Sequence, residues 1–267
     1  MLKLRVITAL VIAPIVLALV FFAPGWLFAL AMLLMALVGA WEWAALADMS
    51  GRNLRLMLVL LFAALAVAGW WLQRSFPYPQ GLMFYCLLAL AWWLFSLVWV
   101  AALRSVFPRP VKVLCGVLTL LPSLAAVVAV RAVSPGYLLI LLLLTTAADI
   151  GAYFAGRAFG RRKLAPLVSP GKTWEGVWGG VVGAAMVAAV ASHWLPVPPG
   201  PFILICIGVA LISVVGDLSE SLFKRQAGLK DSGTLFPGHG GVLDRVDSLT
   251  AAAPLYWLGL HWLGLLP

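Results

Sequence analysis

The sequence predicts an all-α, polytopic membrane protein of about nine transmembrane helices, with its N terminus cytoplasmic and its C terminus outside. Three observations carry this. Of 267 residues, 64% are hydrophobic and only 10% charged, where a soluble domain has about a quarter charged. Apolar runs of about 20 residues, long enough to cross the hydrocarbon as helices, recur along the whole chain. When those runs are threaded back and forth, 16 of the 18 Lys and Arg residues fall on one side, the bias that marks cytoplasmic loops.

The first run, 6–22, follows Lys3 and Arg5, which place its start inside. A signal peptide begins in the same way, but no small-x-small cleavage site follows: the candidate pair is Phe21 and Ala23, with Pro24 directly after the cut. The second run, 27–47, contains Glu42, and Asp48, Arg52 and Arg55 separate it from the third, 56–73. Arg74 is left outside before the fourth run, 82–103. Arg104, Arg109 and Lys112 bring the chain back inside ahead of the fifth, 112–130, after which Arg131 is the second outside cation. The sixth run, 136–156, leads into Arg157, Arg161, Arg162, Lys163 and Lys172 on the inside. Gly176, Gly179, Gly180 and Gly183 open the seventh, 176–195, at small-xxx-small spacings that predict close helix packing. The outside connection "HWLPVPPG" at 193–200 is short and nearly uncharged. The eighth run, 201–222, is followed by Lys224, Arg225, Lys230 and Arg245 inside, and the ninth is 247–266.

The net charge of +9 is therefore accounted for by topology, and no nucleic-acid partner is expected. Cys86, Cys115 and Cys206 lie in apolar runs without a second ligand at metal spacing and read as packing thiols. Glu42 and Asp48 are the only acids of the N-terminal half, so 1–134 reads as transmembrane scaffold and lipid-facing surface. Residues 135–267 read as the catalytic region of the same continuous membrane domain.

Two inside stretches, 149–175 and 217–247, hold 16 of the 27 charged residues and seven of the nine acids. In "GDLSESLFKR" helical spacing puts Asp217, Ser221 and Lys224 on one face, with Glu220 nearby. A carboxylate at the membrane edge needs a partner. A salt bridge to Lys224 or Arg225 supplies the structural one, and a bound cation the functional one. Lys230, Asp231, His239, Asp244, Arg245 and Asp247 follow, interleaved with Gly233, Gly238, Gly240 and Gly241. Mg²⁺ prefers carboxylate oxygens and uses one or two of them beside substrate phosphates. Lys and Arg bind phosphoryl oxygens, and glycines let backbone N–H groups approach an anion. Together they predict a pocket for Mg²⁺ and phosphate. His239, between two glycines, fits a turn-stabilising or phosphate-bonding role better than a general base, whereas His193 and His261 have apolar company and read as interfacial.

In the earlier stretch Asp149, Tyr153, Gly156 and Gly160 recur on one helix face, toward neighbouring helices. "SPGKT" is no Walker A loop, since Pro166 stands where that pattern needs glycine. Ser169, Lys172, Thr173 and Glu175 read as a short polar turn available to phosphate or metal.

These residues carry a resemblance. Ser221-x-Phe223-Lys224-Arg225, Lys230-Asp231-x-Gly233 and Phe236-Pro237-x-His239-Gly240-Gly241-Val242-x-Asp244-Arg245-Val246-Asp247 match the signature of the phosphatidate cytidylyltransferase, or CDP-diacylglycerol synthase, family. The stretch from Asp149 through Gly176 is similar to that family's second characteristic segment. One departure is Gly171, where the family's Ser-Pro-Lys-Lys-type turn has a basic residue; Lys172 remains. The resemblance implies transfer of CMP from CTP to phosphatidic acid at the bacterial inner membrane, giving CDP-diacylglycerol and pyrophosphate on the cytoplasmic side. It also implies Mg²⁺, a monovalent cation such as K⁺ beside it, and a homodimer. Asp217 and Asp244 become the expected metal carboxylates. The candidate catalytic residues are Lys224, Arg225, Lys230, Asp231, His239, Arg245 and Asp247. The candidate substrate-binding residues are Ser169, Lys172, Thr173, Glu175, Ser221, Gly240, Gly241, Asp149 and Tyr153. A CTP-dependent polyprenol or phytol kinase is the nearest alternative, and a secondary transporter the alternative from another class. A CDP-alcohol phosphotransferase would need an Asp-Gly-x-x-Ala-Arg start that is absent.

Overall fold

The computed structural model describes residues 2–75, 79–236, 238 and 240–266, apart from the side chains of 2–9, 73–75 and 103. Among these residues the chain forms α1 (Leu2–Phe22), α2 (Gly25–Leu46), α3 (Arg52–Ser75), α4 (Gln80–Val98), α5 (Arg109–Val133), α6 (Pro135–Phe159), α7 (Trp174–Trp194), α8 (Pro199–Gln226) and α9 (Leu243–Trp262). A π-helical turn, Trp99–Leu103, ends α4. The helices fall where apolar runs predict them. Seven of them, α2 through α8, are long and apolar enough to cross a membrane; α1 is apolar over Leu10–Phe22, and α9 opens on Asp244, Arg245 and Asp247.

Several helices outrun their apolar segments, because a polar residue at the membrane edge continues a helix as readily as an apolar one. The eighth reaches Gln226 rather than 222, so Lys224 and Arg225 are helical. Caps mark other ends: Ser134 Oγ accepts from Gly136 N (3.1 Å) at the start of α6, and Thr173 Oγ1 accepts from Gly176 N (3.1 Å) at the start of α7.

The polar turn expected at 169–175 is instead an antiparallel hairpin, β1 (Lys163–Ala165) and β2 (Ser169–Thr173), pairing Lys163 with Thr173 and Ala165 with Ser169. Glu175 closes it from the first turn of α7, its carboxylate accepting from Arg161 N (3.1 Å) and Arg162 N (3.2 Å).

The glycines of α7 do what their spacing predicts. A Cβ on Gly179 would lie 2.3 Å from Ala155 Cβ, and one on Gly183 would lie 2.6 Å from Ala147 O. Only bare backbone lets α6 and α7 approach so closely. Arg131, at the end of α5, bonds Val20 O (3.2 Å) and Ala23 O and lies over the Phe28 ring, so this cation satisfies carbonyls where α1 ends. Trp43 of α2 and Trp99 pack on Phe223 of α8, with ring centroids 5.1 and 4.7 Å apart. This aromatic block joins the N-terminal helices to the turn before Lys224. Buried Lys112 (1% exposed) pairs with Asp48 at 2.6 Å and fixes the α2–α3 corner.

Candidate active site in a polar cavity at the helix ends

A cavity of about 560 Å³ opens where α6 ends, the hairpin folds and α8 leaves the bundle. Its lining is mixed. Asp149, Tyr153 and Arg157 come from α6, Ser169 and Lys172 from β2, Asp217 from α8 and Ser248 from α9. Ala148, Ala152, Val177, Ala210 and Val214 add apolar surface to the same lining. A cavity that combines ionic groups with hydrocarbon suits an amphiphile better than a free nucleotide alone.

Lys172 Nζ is 2.6 Å from Asp217 Oδ2, and Ser221 Oγ donates to Asp217 Oδ1 (3.2 Å). The partner of Asp217 is thus Lys172 of the hairpin, rather than the Lys224 or Arg225 of its own helix that helical spacing offers. Asp217, Lys172 and Arg245 are each near enough to act electrostatically on Asp149. Arg157, which sequence reasoning left out of the site, lines the cavity and donates from Nη1 to Tyr153 Oη (2.9 Å). Its signal in the sequence is the i, i+4 spacing from Tyr153. Tyr153 itself is 57% exposed at the rim, rather than packed between helices.

A second polar group lies behind the first. Lys224 is 8% exposed and bridges Glu220 Oε1 (3.1 Å) and Asp244 Oδ1 (2.7 Å). The other oxygen of Asp244, Oδ2, accepts from Ser232 N (2.8 Å) and Gly241 N (2.8 Å) and lies 2.9 Å from Ser232 Oγ. Asp244 does not line the cavity. The structure therefore places Asp217 at the cavity and Asp244 in a closed hydrogen-bond network. An ion shared by Asp217 and Asp244 would meet Asp244 Oδ1 beside the Lys224 ammonium.

Among the described residues, no three His, Cys, Asp or Glu side chains are grouped closely enough to hold a metal by themselves. Asp149 and Asp217 on the walls of one cavity nonetheless fit the Mg²⁺ pattern of one or two carboxylates completed by substrate phosphates and water.

The remaining candidates divide between rim and frame. Arg225, Lys230, Asp231 and Arg245 are exposed around the network. Asp247 Oδ1 accepts from Ser248 N (2.7 Å). Thr173 and Glu175 are committed to capping α7 and closing the hairpin. Gly240 takes a positive φ of 80° and closes a bridge in which Phe236 N donates to Gly240 O (2.9 Å). Gly241 donates to Asp244 as above. His239 lies outside the described residues.

Glu42, read from the sequence as part of a scaffold, is 5% exposed and reaches this network. It accepts from Val242 N and Leu243 N, each at 2.9 Å, and lies 2.9 Å from Ser232 Oγ, whose single proton serves either Glu42 or Asp244. The signal that could have found it is an acid inside an apolar run with no partner at helical spacing.

Known proteins resemble the chain over nearly its whole length. The chain is 43% identical over 269 residues to the phosphatidate cytidylyltransferase of Pseudomonas aeruginosa, covering 96% of each protein. It is 40% identical over 284 residues to that of Haemophilus influenzae, covering 96% of this chain and 97% of the relative. A phosphatidate cytidylyltransferase of Brucella suis is 50% identical over 111 residues, 41% of each chain. The model of the Cytidylyltransferase family matches residues 3–263, and the chain belongs to that family.

Proposed function

We propose that this protein transfers CMP from CTP to phosphatidic acid, forming CDP-diacylglycerol and pyrophosphate. The observation that carries the reading is the amphipathic cavity, lined by Lys172, Asp217 and Arg157 together with apolar side chains. Full-length likeness to proteins named phosphatidate cytidylyltransferase supports it.

In this reading a phosphate oxygen of phosphatidate forms a bond to the α-phosphorus of CTP. The bond from that phosphorus to the bridging oxygen breaks, and pyrophosphate leaves with the electron pair. The nucleophile is already ionised, so no strong general base is required, and the work is positioning and charge neutralisation. Asp217, with Asp149 beside it, would hold Mg²⁺, which when bound supplies charge to the phosphate oxygens. Lys172 and Arg157 neutralise phosphate charge at the rim. Lys224, Asp244 and Asp247 keep the ends of α8 and α9 in register with the cavity, and Arg225, Lys230 and Arg245 supply cations around it.

The same reading includes a cytoplasm-facing site in the bacterial inner membrane, a homodimer and a monovalent cation such as K⁺. These rest on the Lys and Arg bias and on the sequence resemblance.

The test is purified protein in mixed micelles with CTP, Mg²⁺, phosphatidate and a polyprenol, with nucleotide and lipid products quantified. One pyrophosphate per CDP-diacylglycerol is the expected result. Release of CDP with phosphorylated lipid would make the protein a CTP-dependent kinase, and no product from folded protein would defeat both readings.

A further inference from the structure

The α8–α9 network, Glu220–Lys224–Asp244–Ser232, is built almost wholly from the C-terminal half, with one exception. Glu42 comes from α2, 190 residues before Ser232. Its surroundings are specific. By its own sequence α9 has no capping side chain, because its N-cap position is Val242. The N–H groups of Val242 and Leu243 would be orphaned at this buried helix start. Both donate to Glu42, one to each carboxylate oxygen, at 2.9 Å. A carboxylate beside a helix N-terminus is also favoured by the helix dipole. Ser232 Oγ lies 2.9 Å from Glu42 Oε2 and 2.9 Å from Asp244 Oδ2, so one hydroxyl joins the two carboxylates.

The glycines confirm how tightly the cradle closes. A Cβ on Gly233 would lie 2.4 Å from Glu42 Oε1, and one on Gly241 would lie 2.4 Å from both Glu42 oxygens and from Ser232 Oγ. Two glycines of the loop thus make room for the Glu42 carboxylate.

We infer that Glu42 is a positioning residue for cytidylyl transfer: as a cap supplied from another helix, it sets the start of α9 and, through Ser232, the place of Asp244 and its partner Lys224. The inference rests on the proposed reaction, in which Lys224 and Asp244 support the site. Burying a carboxylate in a membrane helix is costly unless its lone pairs are used. Here two backbone donors use them, and the Ser232 hydroxyl lies beside them. The N-terminal helices are therefore part of the catalytic geometry and not only a scaffold.

The experiment uses the full-length protein in micelles. Glu42→Gln presents an NH₂ where the backbone donors need an acceptor. Its kcat is expected to fall about 10- to 100-fold, the cost of small misplacement at a reacting centre. Its KM for CTP is expected to stay within about twofold, as for an interaction used in the transition state and not in binding. Combined with Asp244→Asn, it is expected to cost little beyond Asp244→Asn alone, because both act on one network. Amide exchange is expected to rise in peptides covering 230–243.

Full additivity with Asp244→Asn, or wild-type kcat, overturns the inference, as does unchanged exchange at 230–243. If Glu42→Gln does not yield folded protein, Glu42→Asp keeps the charge but draws the carboxylate back from both backbone donors. Additivity of Glu42→Asp with Asp244→Asn then overturns the inference, and non-additivity supports it. A wild-type protein that makes no CDP-diacylglycerol defeats the functional reading separately, while exchange still decides whether Glu42 caps α9.

Discussion

Replacing Gly241 with Ala adds one methyl group to the most crowded point of the network. Its Cβ would sit 2.4 Å from each Glu42 oxygen and from Ser232 Oγ, where ordinary contact begins near 3.4 Å, so about 1 Å must open. Gly241 has no left-handed backbone, unlike Gly240, and the substitution is a steric probe without a conformational penalty. Overpacking a closed core costs about 1–3 kcal/mol, and displacing Glu42 from one donor adds roughly 1.5–3 kcal/mol for a hydrogen bond to a charged group. Partial relaxation brings the expected total to about 3–5 kcal/mol. The assay is thermal unfolding in detergent, followed by tryptophan fluorescence, alongside CDP-diacylglycerol turnover. The control is Gly171→Ala, whose Cβ meets no atom within 4 Å. A Gly241→Ala protein with the control's melting point and turnover would refute the cradle.

Further expectations follow from the same contacts. Lys172→Met leaves Asp217 without its 2.6 Å ammonium partner, and turnover with saturating substrates should fall about 10- to 100-fold. Gly171→Lys places a cation at an open position beside the cavity. It should leave melting unchanged and lower the KM for CTP about two- to fivefold, the scale of an exposed ion pair. Gly179→Leu drives a side chain into Ala155 Cβ and Gly151 O, so α6 and α7 should separate and the yield of monodisperse protein should collapse. Normal yield would show that the two helices need no close approach.

The sequence displayed what depends on local pattern. Apolar length located the helices, and the small-xxx-small spacing of α7 found its packing face. The concentration of charge found the two stretches that meet at the cavity, and Ser169, Lys172, Asp217, Asp149 and Tyr153 all line it. What it did not display depends on distance along the chain. Helical spacing offers Asp217 the lysine on its own helix, yet the hairpin brings Lys172 from 45 positions away. Asp244 looks like a free ligand until the loop that folds over it brings two backbone donors and the Ser232 hydroxyl to a single oxygen. Glu42 was visible as an acid inside an apolar run, but its partners belong to a loop 190 residues later. The glycines of that loop have two physical uses, close approach to a bound anion and room for a buried carboxylate. The sequence alone does not separate them, whereas the crowding at Gly233 and Gly241 identifies the second.

The decisive comparison is Asp217→Asn against the unaltered protein, both folded, both given CTP, phosphatidate and Mg²⁺, with pyrophosphate and lipid nucleotide measured together. Loss of a charge that neutralises or orients the reacting phosphates is worth on the order of 100-fold or more. The account expects that loss with little change in melting. Asp217→Asn protein that turns over at close to the unaltered rate would contradict it.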